Sequence, residues 1–507
     1  MNAFIDGLKN ETNYTYTENG ALTHKSTMDG LLDLFALGGA YRSRSDEDCI
    51  LLFKKAYDEN PVYALKCLFY LRDVRGGQGE RRFFRTCMKW LASYDKAAAE
   101  RNLKYVSEFG RWDDLYAFEG TKLEKQAFEV IKKQLALDVQ CKTPSLLAKW
   151  LKSENTSSQR SRYLGNKTRQ YLGMTHKQYR KTLSVLRERI NVLERLMSAG
   201  KWDEIEFDKI PSKAGLIYKN AFARRDIIKA KYEAFAKDET KKVNAKTLYP
   251  YEVVKEAYEL TSSYSWHRGS VALDDTNRLM INKYWDNLAD YFNGASLNAL
   301  AVVDTSGSMT WGGNTVRPID VAISLGLYCA EKAKGPFHGH YVSFSSRPQL
   351  IETAGVDFCD KVRRIYETNL CENTNIEATF DLLLDTAIKN RVSQEDLPKS
   401  IVIISDMEFD SARRTTYNYY ERSYRDTSRT TLMEGIAKKW AANGYQMPNL
   451  VFWNVDARQD NIPMKVQDGI SFVSGFSPVL FEQIMQGKTA YDLMMDKLDS
   501  ERYAVIQ

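Results

Sequence analysis

The sequence predicts a chain in two parts: an all-α region of HEAT-like stacked helix pairs over residues 1–295, then an α/β, doubly wound domain over residues 296–507. Three observations predict it. From about Leu31 to Phe292 apolar residues recur at i, i+3, i+4 and i+7, the spacing of one helix face. Near Asn298 that period stops and LNALAVVDTS begins, a short apolar run ending in a polar loop, which is the pattern of a buried parallel strand. Beyond it helical and strand-like segments alternate, and such alternation builds a sheet with helices on both faces.

Size and composition agree with two folded parts. A chain of 507 residues is longer than one hydrophobic core usually supports. Its hydrophobic fraction of 43% and charged fraction of 27% are those of ordinary folded proteins, which argues against large-scale disorder. No run approaches the roughly 20 apolar residues that cross a bilayer. The start, MNAFIDGLKN, lacks the apolar core of a secretory signal, so a cytoplasmic protein with no membrane partner is expected. Cys49, Cys67, Cys87, Cys141, Cys329, Cys359 and Cys371 form no CxxC pair, which suits reduced core thiols rather than disulfides or structural zinc.

In the first part, CILLFKKAY, VYALKCLFYLRDV and PYEVVKEAYEL each place apolar residues on one helical face. Breaks at Gly38-Gly39, Asn60-Pro61, Gly76-Gly77, Gly110, Gly173 and Gly200 separate helices at short intervals, as in stacked helix pairs, although no single repeat period emerges. In the second part Pro318 opens a helix with Ile319, Ile323, Leu327 and Ala330 on one stripe. There follow strand-like GHYVSFSS and PQLIETA, helices through VRRIYETNL and IEATFDLLLDTAI, the strand SIVIISD, the helix LMEGIAKKWAANG, and the strands LVFWNVD and ISFVSG. Glu408 to Arg429 has no strong period and is expected to be a surface insertion.

In an open α/β sheet, ligands gather where loops leave the carboxyl ends of the strands, and DTSGSM sits there after the first strand of the second part. Asp304, Ser306 and Ser308 alternate, so a carboxylate and two hydroxyls can face one point, with Gly307 allowing a tight loop. Thr374, opening a helix, and Asp406, closing SIVIISD, arrive from two other loops on the same edge. Five oxygen groups of this kind suit a small hard cation and leave one octahedral position open. Alone, DTSGSM reads equally well as a Ser-rich turn capping a helix; Thr374 and Asp406 tip the balance towards metal. Asp410, in DMEFD, reads as a further acidic group near the site or, as the favoured alternative, as a solvated loop carboxylate.

These residues resemble the von Willebrand factor A family, whose pattern is Asp-x-Ser-x-Ser followed by a Thr and then an Asp, over about the last 210 residues. The resemblance implies a metal ion-dependent adhesion site. Ser306 and Ser308 would hold Mg2+ (or Mn2+) directly, Asp304 and Asp406 largely through water, and Thr374 directly or through water. An acidic residue of a protein partner would fill the open position. The chain departs from that family in having Glu372-Asn373 where Gly-Gly usually precedes the threonine.

The net charge of +6 is too mild to mark a nucleic-acid binder, but its distribution is uneven. Leu151 to Gly200 holds eleven Lys or Arg against three Glu. Tyr179, Leu183, Leu186, Ile190, Leu193 and Leu196 read as the apolar stripe of one helix, which leaves Lys177, Arg180, Lys181, Arg187 and Arg195 opposite. Together with Arg160, Arg162, Lys167 and Arg169, and with Tyr163, Tyr171 and His176 beside them, these form a candidate RNA surface: cations for phosphates, rings for bases. A solvated helix kept basic for solubility is the plainer alternative.

A helical array ahead of an A-type domain resembles the Ro autoantigen, or TROVE, family of RNA-binding proteins. There the helical repeats close into a ring that takes single-stranded RNA ends in its hole and structured small RNA on its basic outer surface. Met174-Thr175-His176-Lys177 is similar to a Ser-His-Lys stretch of that family. RDVRGGQGERR (72–82), YRKTLSVLRERINVLE, SDMEFD, VFWNVD and VSGFSP are closer still to a family of plant, bacterial and large-virus proteins of the same architecture and no established activity. RDVRGGQGERR reads either as a loop presenting arginines or as a structural turn with salt bridges.

No GxxxxGK[ST] loop, GxSxG elbow or paired-carboxylate nuclease motif is present, so no enzymatic activity is expected. The expected function is that of an RNA-binding scaffold of Ro ribonucleoprotein type. Its helical part would take small non-coding or single-stranded RNA, and its A-type domain an acidic-residue-bearing protein through Mg2+ or Mn2+. The alternatives are a metal-dependent protein–protein interaction module without RNA binding and, third, a metal-dependent nuclease.

Overall fold

The fold is seen in a computed structural model that describes residues 3–262, 271–292, 298–310, 316–332, 335–344, 347–368, 374–410, 416–418, 423–425, 431–484 and 488–507. A helix-rich amino-terminal region is followed by a mixed, mainly parallel sheet. Spatially the chain forms two compact units, Met1–Cys67 with Leu248–Ser500, and Leu68–Thr247 with Glu501–Gln507. That division differs from the expected boundary at 295/296. Chain order does separate helices from sheet there, but the first 67 residues and the helices after 248 pack within the α/β unit.

In the α/β unit, β1 (Tyr14–Tyr16) and β2 (Leu22–His24) make an antiparallel hairpin. The main sheet contains β3 (Ala299–Asp304), β4 (His340–Phe344), β5 (Gln349–Glu352) and β6 (Ser400–Ser405). A second hairpin, β7 (Thr416–Asn418) with β8 (Ser423–Arg425), lies in the expected insertion, and β9 (Asn449–Asn454) and β10 (Ile470–Ser474) complete the sheet. Strand order is β10-β9-β6-β3-β4-β5, parallel throughout except for β5, which runs antiparallel to β4. The central strands β3 and β6 are buried along their whole length, which is why they read as unbroken apolar runs and not as alternation. The helix Pro318–Lys332 is likewise buried on every side from Pro318 to Ala330, more than the single stripe expected, because it packs against β3, β4 and β6 and against the helix Pro250–Thr261.

The amino-terminal segment belongs to this unit through the helix Gly30–Leu37, which is buried throughout and lies on β10. The Gly39 amide donates to Ser474 Oγ at 3.0 Å, and that hydroxyl donates to the Phe35 carbonyl at 3.1 Å. A Cβ on Gly39 would sit 2.8 Å from the Ser474 carbonyl carbon, so the approach requires glycine.

The second unit is helical, with Arg81–Tyr94, Glu124–Gln140, Gln159–Tyr171, His176–Arg189 and Ser212–Arg224 among its longer elements. Here RDVRGGQGERR is a structural turn. Arg72 is buried and paired with Asp114 at 2.7 Å, while Arg502 and Tyr503 bond Asp73. A Cβ on Gly77 would fall 1.9 Å from the Tyr70 carbonyl oxygen. Arg81 and Arg82 are exposed at the start of the next helix.

The apolar stripe expected on one helix is divided between two, His176–Arg189 and Leu193–Ser198. Asn191, at φ 50°, ends the first: its amide bonds the Glu188 carbonyl and the Val192 amide bonds that of Arg187, the paired closure that a left-handed residue permits. Among the described residues no helix is long and apolar enough to cross a membrane. Cys49, Cys67, Cys87, Cys329 and Cys359 are buried free thiols and Cys141 is exposed, while Cys371 lies outside the described residues.

Candidate metal centre and basic face

Strand β3 is flanked by β4 on one side and β6 on the other, so the chain reverses direction across the sheet between β3 and β6. Loops that leave the carboxyl ends of two such strands diverge and open a crevice between them. Asp304 closes β3 at that crevice, beside Ser405 at the end of β6. Its Oδ2 accepts from Ser405 Oγ at 2.6 Å and its Oδ1 from the Ser306 amide at 2.9 Å. Ser306 Oγ lies 3.1 Å from Ser308 Oγ, which donates to Asp406 Oδ2 at 3.0 Å. Four of the five expected donors are thus joined in one hydrogen-bonded chain.

Burial, then the neighbouring Asp406 carboxylate, pushes the Asp304 carboxyl up, and a divalent cation between the two would relieve that cost. Gly307 has neither a left-handed φ nor a close neighbour, so glycine is not required there, contrary to expectation. Strain sits instead at Met407, a non-glycine residue at φ 64° directly after Asp406, held by its amide bond to Ser405 Oγ at 3.0 Å.

Thr374, the fifth donor, is buried and tied to the loop after β6, since its carbonyl accepts from the Asp410 amide at 2.9 Å. Asp410 is therefore drawn into the wall of the site instead of being the solvated carboxylate expected, and burial raises its carboxyl above the usual value. Glu372 and Asn373 lie outside the described residues.

Three further groups that the sequence reading missed stand around these donors. Arg458, after β9, donates through Nη2 to Asp406 Oδ2 at 2.8 Å and pairs through Nη1 with Glu18 Oε2 at 2.6 Å. Asn19 Nδ2 donates to the Glu408 carbonyl at 2.6 Å and to Thr374 Oγ1 at 3.3 Å. Glu408 is fully buried, and burial pushes its carboxyl up to about 7. It accepts from the Glu18 amide at 2.6 Å and from Asn461 Nδ2 at 2.7 Å. The signal for the first two lay in Asn19-Gly20, a dipeptide typical of hairpin turns, and in the position of Arg458 just past a strand on the same sheet edge.

The donor set is two carboxylates and three hydroxyls, which suits Mg2+ or Mn2+ rather than a soft metal. Among the described residues no three His, Cys, Asp or Glu side chains cluster to hold an ion, so any ion here depends on the hydroxyls. Among the described residues, Arg458 Nε, Asn454 Nδ2 and Asn461 Oδ1 are buried along this edge without a hydrogen-bond partner, as groups around a place for ordered water would be.

The helical unit separates the expected RNA residues into two groups. Arg160 and Lys167 pair with Glu119, Lys167 also with Glu124, and Arg169 and His176 with Glu154. Arg187 is not on the solvent side. Its guanidinium donates to the carbonyls of Ala148 and Leu151, both at 2.9 Å, and to Ser153 Oγ at 3.0 Å. Tyr171 is stacked on Phe128 at 4.2 Å and Tyr163 donates to Glu119, so Tyr171 has one face already covered. Lys177, Arg180, Lys181 and Arg162 are exposed and form no ion pair among the described residues. The free cations are thus fewer than the sequence suggested, because acidic residues from Glu119 to Glu154 face the helix Gln159–Tyr171.

A model of the family described as Domain of unknown function (DUF2828) matches residues 17–144 and 136–295, and one described as Domain of unknown function (DUF7788) matches residues 298–504. An uncharacterized protein of Acanthamoeba polyphaga mimivirus is 29% identical over 524 aligned positions, covering 94% of this chain and 85% of its own length. The crystal structure of the Deinococcus radiodurans Ro (RSR) protein aligns with 94% of this chain and 100% of its own at 12% identity and a TM-score of 0.37, too loose a superposition to transfer detail.

Proposed function

The chain belongs to the family described as Domain of unknown function (DUF2828), and from that premise we propose that it is a scaffold with two binding faces: a divalent-cation site on the α/β unit that takes an acidic protein partner, and a basic face on the helical unit that takes RNA. The observation that carries the first half is the oxygen chain Asp304–Ser306–Ser308–Asp406 at the crevice between β3 and β6. Ser306 and Ser308 would hold Mg2+ or Mn2+ directly, Asp304 and Asp406 would neutralise its charge largely through water, and Thr374 would complete the protein's share. The ion would supply one open position for a partner's carboxylate. No catalytic step is assigned to it.

The RNA half rests on Arg162, Lys177, Arg180 and Lys181, which offer exposed positive charge for small non-coding or single-stranded RNA. A second reading, a metal-dependent protein-interaction module without RNA binding, is favoured by the ion pairs that occupy Arg160, Lys167, Arg169 and His176.

Melting curves test the metal half. Donors drawn from three loops bind an ion only when folded, so Mg2+ or Mn2+ should raise the Tm of the parent and not that of a Ser306→Ala, Ser308→Ala variant. No rise in the parent overturns the metal site. Fluorescence anisotropy with labelled oligouridine tests the other half, and absence of binding at low salt would leave the interaction module.

A further inference from the structure

We propose that the β1–β2 turn, Thr17–Gly20, covers the partner-binding face of this metal site, with Glu18 standing in the place of the partner's carboxylate. The inference rests on the metal reading above and names what an acidic partner must displace.

The turn is fastened to the site. Thr17 Oγ1 donates to the Phe409 carbonyl at 2.7 Å, the Glu18 amide to Glu408 Oε2 at 2.6 Å, and Gly20 bridges Asp410 as a short antiparallel pair. Asn19 reaches Thr374 Oγ1, the hydroxyl assigned to the ion. One guanidinium spans the rest: Arg458 holds Asp406 with Nη2 and Glu18 with Nη1. Glu18 therefore lies one guanidinium's width from a carboxylate of the site, on the side that Asn19 and Thr374 also share.

A turn that only closed a hairpin would need no acid at this position. A carboxylate here matches the chemistry of the ligand that the open position would take, and it is tethered. Tethering gives it an effective concentration in the millimolar range, enough to compete with a weak free carboxylate. Glu18, Asn19 and Gly20 are all exposed, so the turn can leave without opening the core, whereas Thr17 and Ala21 stay buried as its anchors. When Glu18 leaves, Nη1 of Arg458 is freed while Nη2 still holds Asp406, and a cation and a guanidinium together form a receptor for a carboxylate side chain. The partner that fits is an Asp- or Glu-bearing peptide segment.

The test uses the full chain, the parent beside Glu18→Gln and Glu18→Ala, each checked for folding by circular dichroism. Calorimetry with Mn2+ alone reports the metal. Glutarate is then titrated into the Mn2+-loaded protein while the relaxation of water protons is followed, because a carboxylate reaching the ion displaces its water. Both variants should bind glutarate roughly tenfold more tightly than the parent, since a site nine-tenths closed weakens apparent affinity by that factor. In the parent, glutarate should speed amide exchange across residues 14–24. Equal glutarate affinity in parent and variants, with Mn2+ bound by all, overturns the cover and leaves the metal site standing. Loss of Mn2+ binding in the variants alone makes Glu18 a holder of the ion and also overturns it. No Mn2+ binding by the parent removes the metal reading and this proposal with it. Glu18→Gln nearly preserves the shape of an exposed side chain, so it answers the question even if Glu18→Ala fails to fold.

Discussion

Arg187 and Lys177 lie on one helix and do different work. Arg187 satisfies two backbone carbonyls and a hydroxyl, so Arg187→Gln leaves half-buried acceptors unpaired and should destabilise the chain by about 2 kcal/mol. Lys177→Gln and Lys181→Gln remove only solvated charge and should change stability by less than about 0.5 kcal/mol. Urea unfolding of the three variants separates the roles, and equal effects would contradict them. Asp357 offers a check by pH. Burial would raise its carboxyl, but Arg278, the Asp360 amide and Asn282 donate to it and hold it at about 2, below the ordinary 3.8. A depressed carboxyl contributes stability that is complete above the ordinary value and is lost as pH falls through the folded one. Acid titration should therefore show part of the parent's loss between about pH 4 and 2, and Arg278→Gln should reduce that part. The sequence displayed the residue types at this scale but not their pairings. Glu119 stands 41 positions from Arg160, and no local pattern announces which cations such an acid will neutralise.

At the scale of elements, two residues set boundaries that side-chain packing alone would not. Asn191→Ala forces alanine into the left-handed region, which should cost about 1 kcal/mol and fray the end of His176–Arg189. Gly39→Ala would press a methyl group against the backbone of Ser474 and should cost about 1–3 kcal/mol, loosening the helix Gly30–Leu37 from β10. Amide exchange in residues 30–40 faster than in the parent is the expected readout, and unchanged exchange would mean that the close approach is dispensable. The strands β3, β6, β9 and β10 of the main sheet were legible because each carries a buried apolar run, and the helices between them because their periods are long. The hairpin β1–β2 was not, since strands of three residues carry no measurable period. The division of the apolar stripe was also missed: apolar residues kept a helical spacing past Asn191 although the helix had already closed.

At the scale of the whole molecule, the crevice between β3 and β6 was legible from chain order, as Asp304, Ser306, Ser308, Thr374 and Asp406 all precede or end elements at one edge. The packing of the first 67 residues into the same unit was not, because it depends on pairings across some four hundred positions, such as Thr17 with Phe409. The proposed RNA binding is tested at this scale. Replacing Arg162, Lys177, Arg180 and Lys181 together by Gln should weaken binding to unrelated single-stranded RNAs. The same change should make the log-log salt slope shallower by up to about 0.7 for each phosphate that is no longer neutralised. A folded variant with the parent's affinity and slope would contradict the basic face. The proposed metal site is tested most directly by counting bound ions. In an electron paramagnetic resonance titration, free Mn2+ gives the sharp signal and bound Mn2+ does not. The expected result is one Mn2+ taken up per parent chain, displaced by excess Mg2+, and none by the Ser306→Ala, Ser308→Ala variant. A parent chain that leaves the Mn2+ signal untouched, or a double variant that still binds one ion, would contradict a cation held by Ser306 and Ser308 at the crevice.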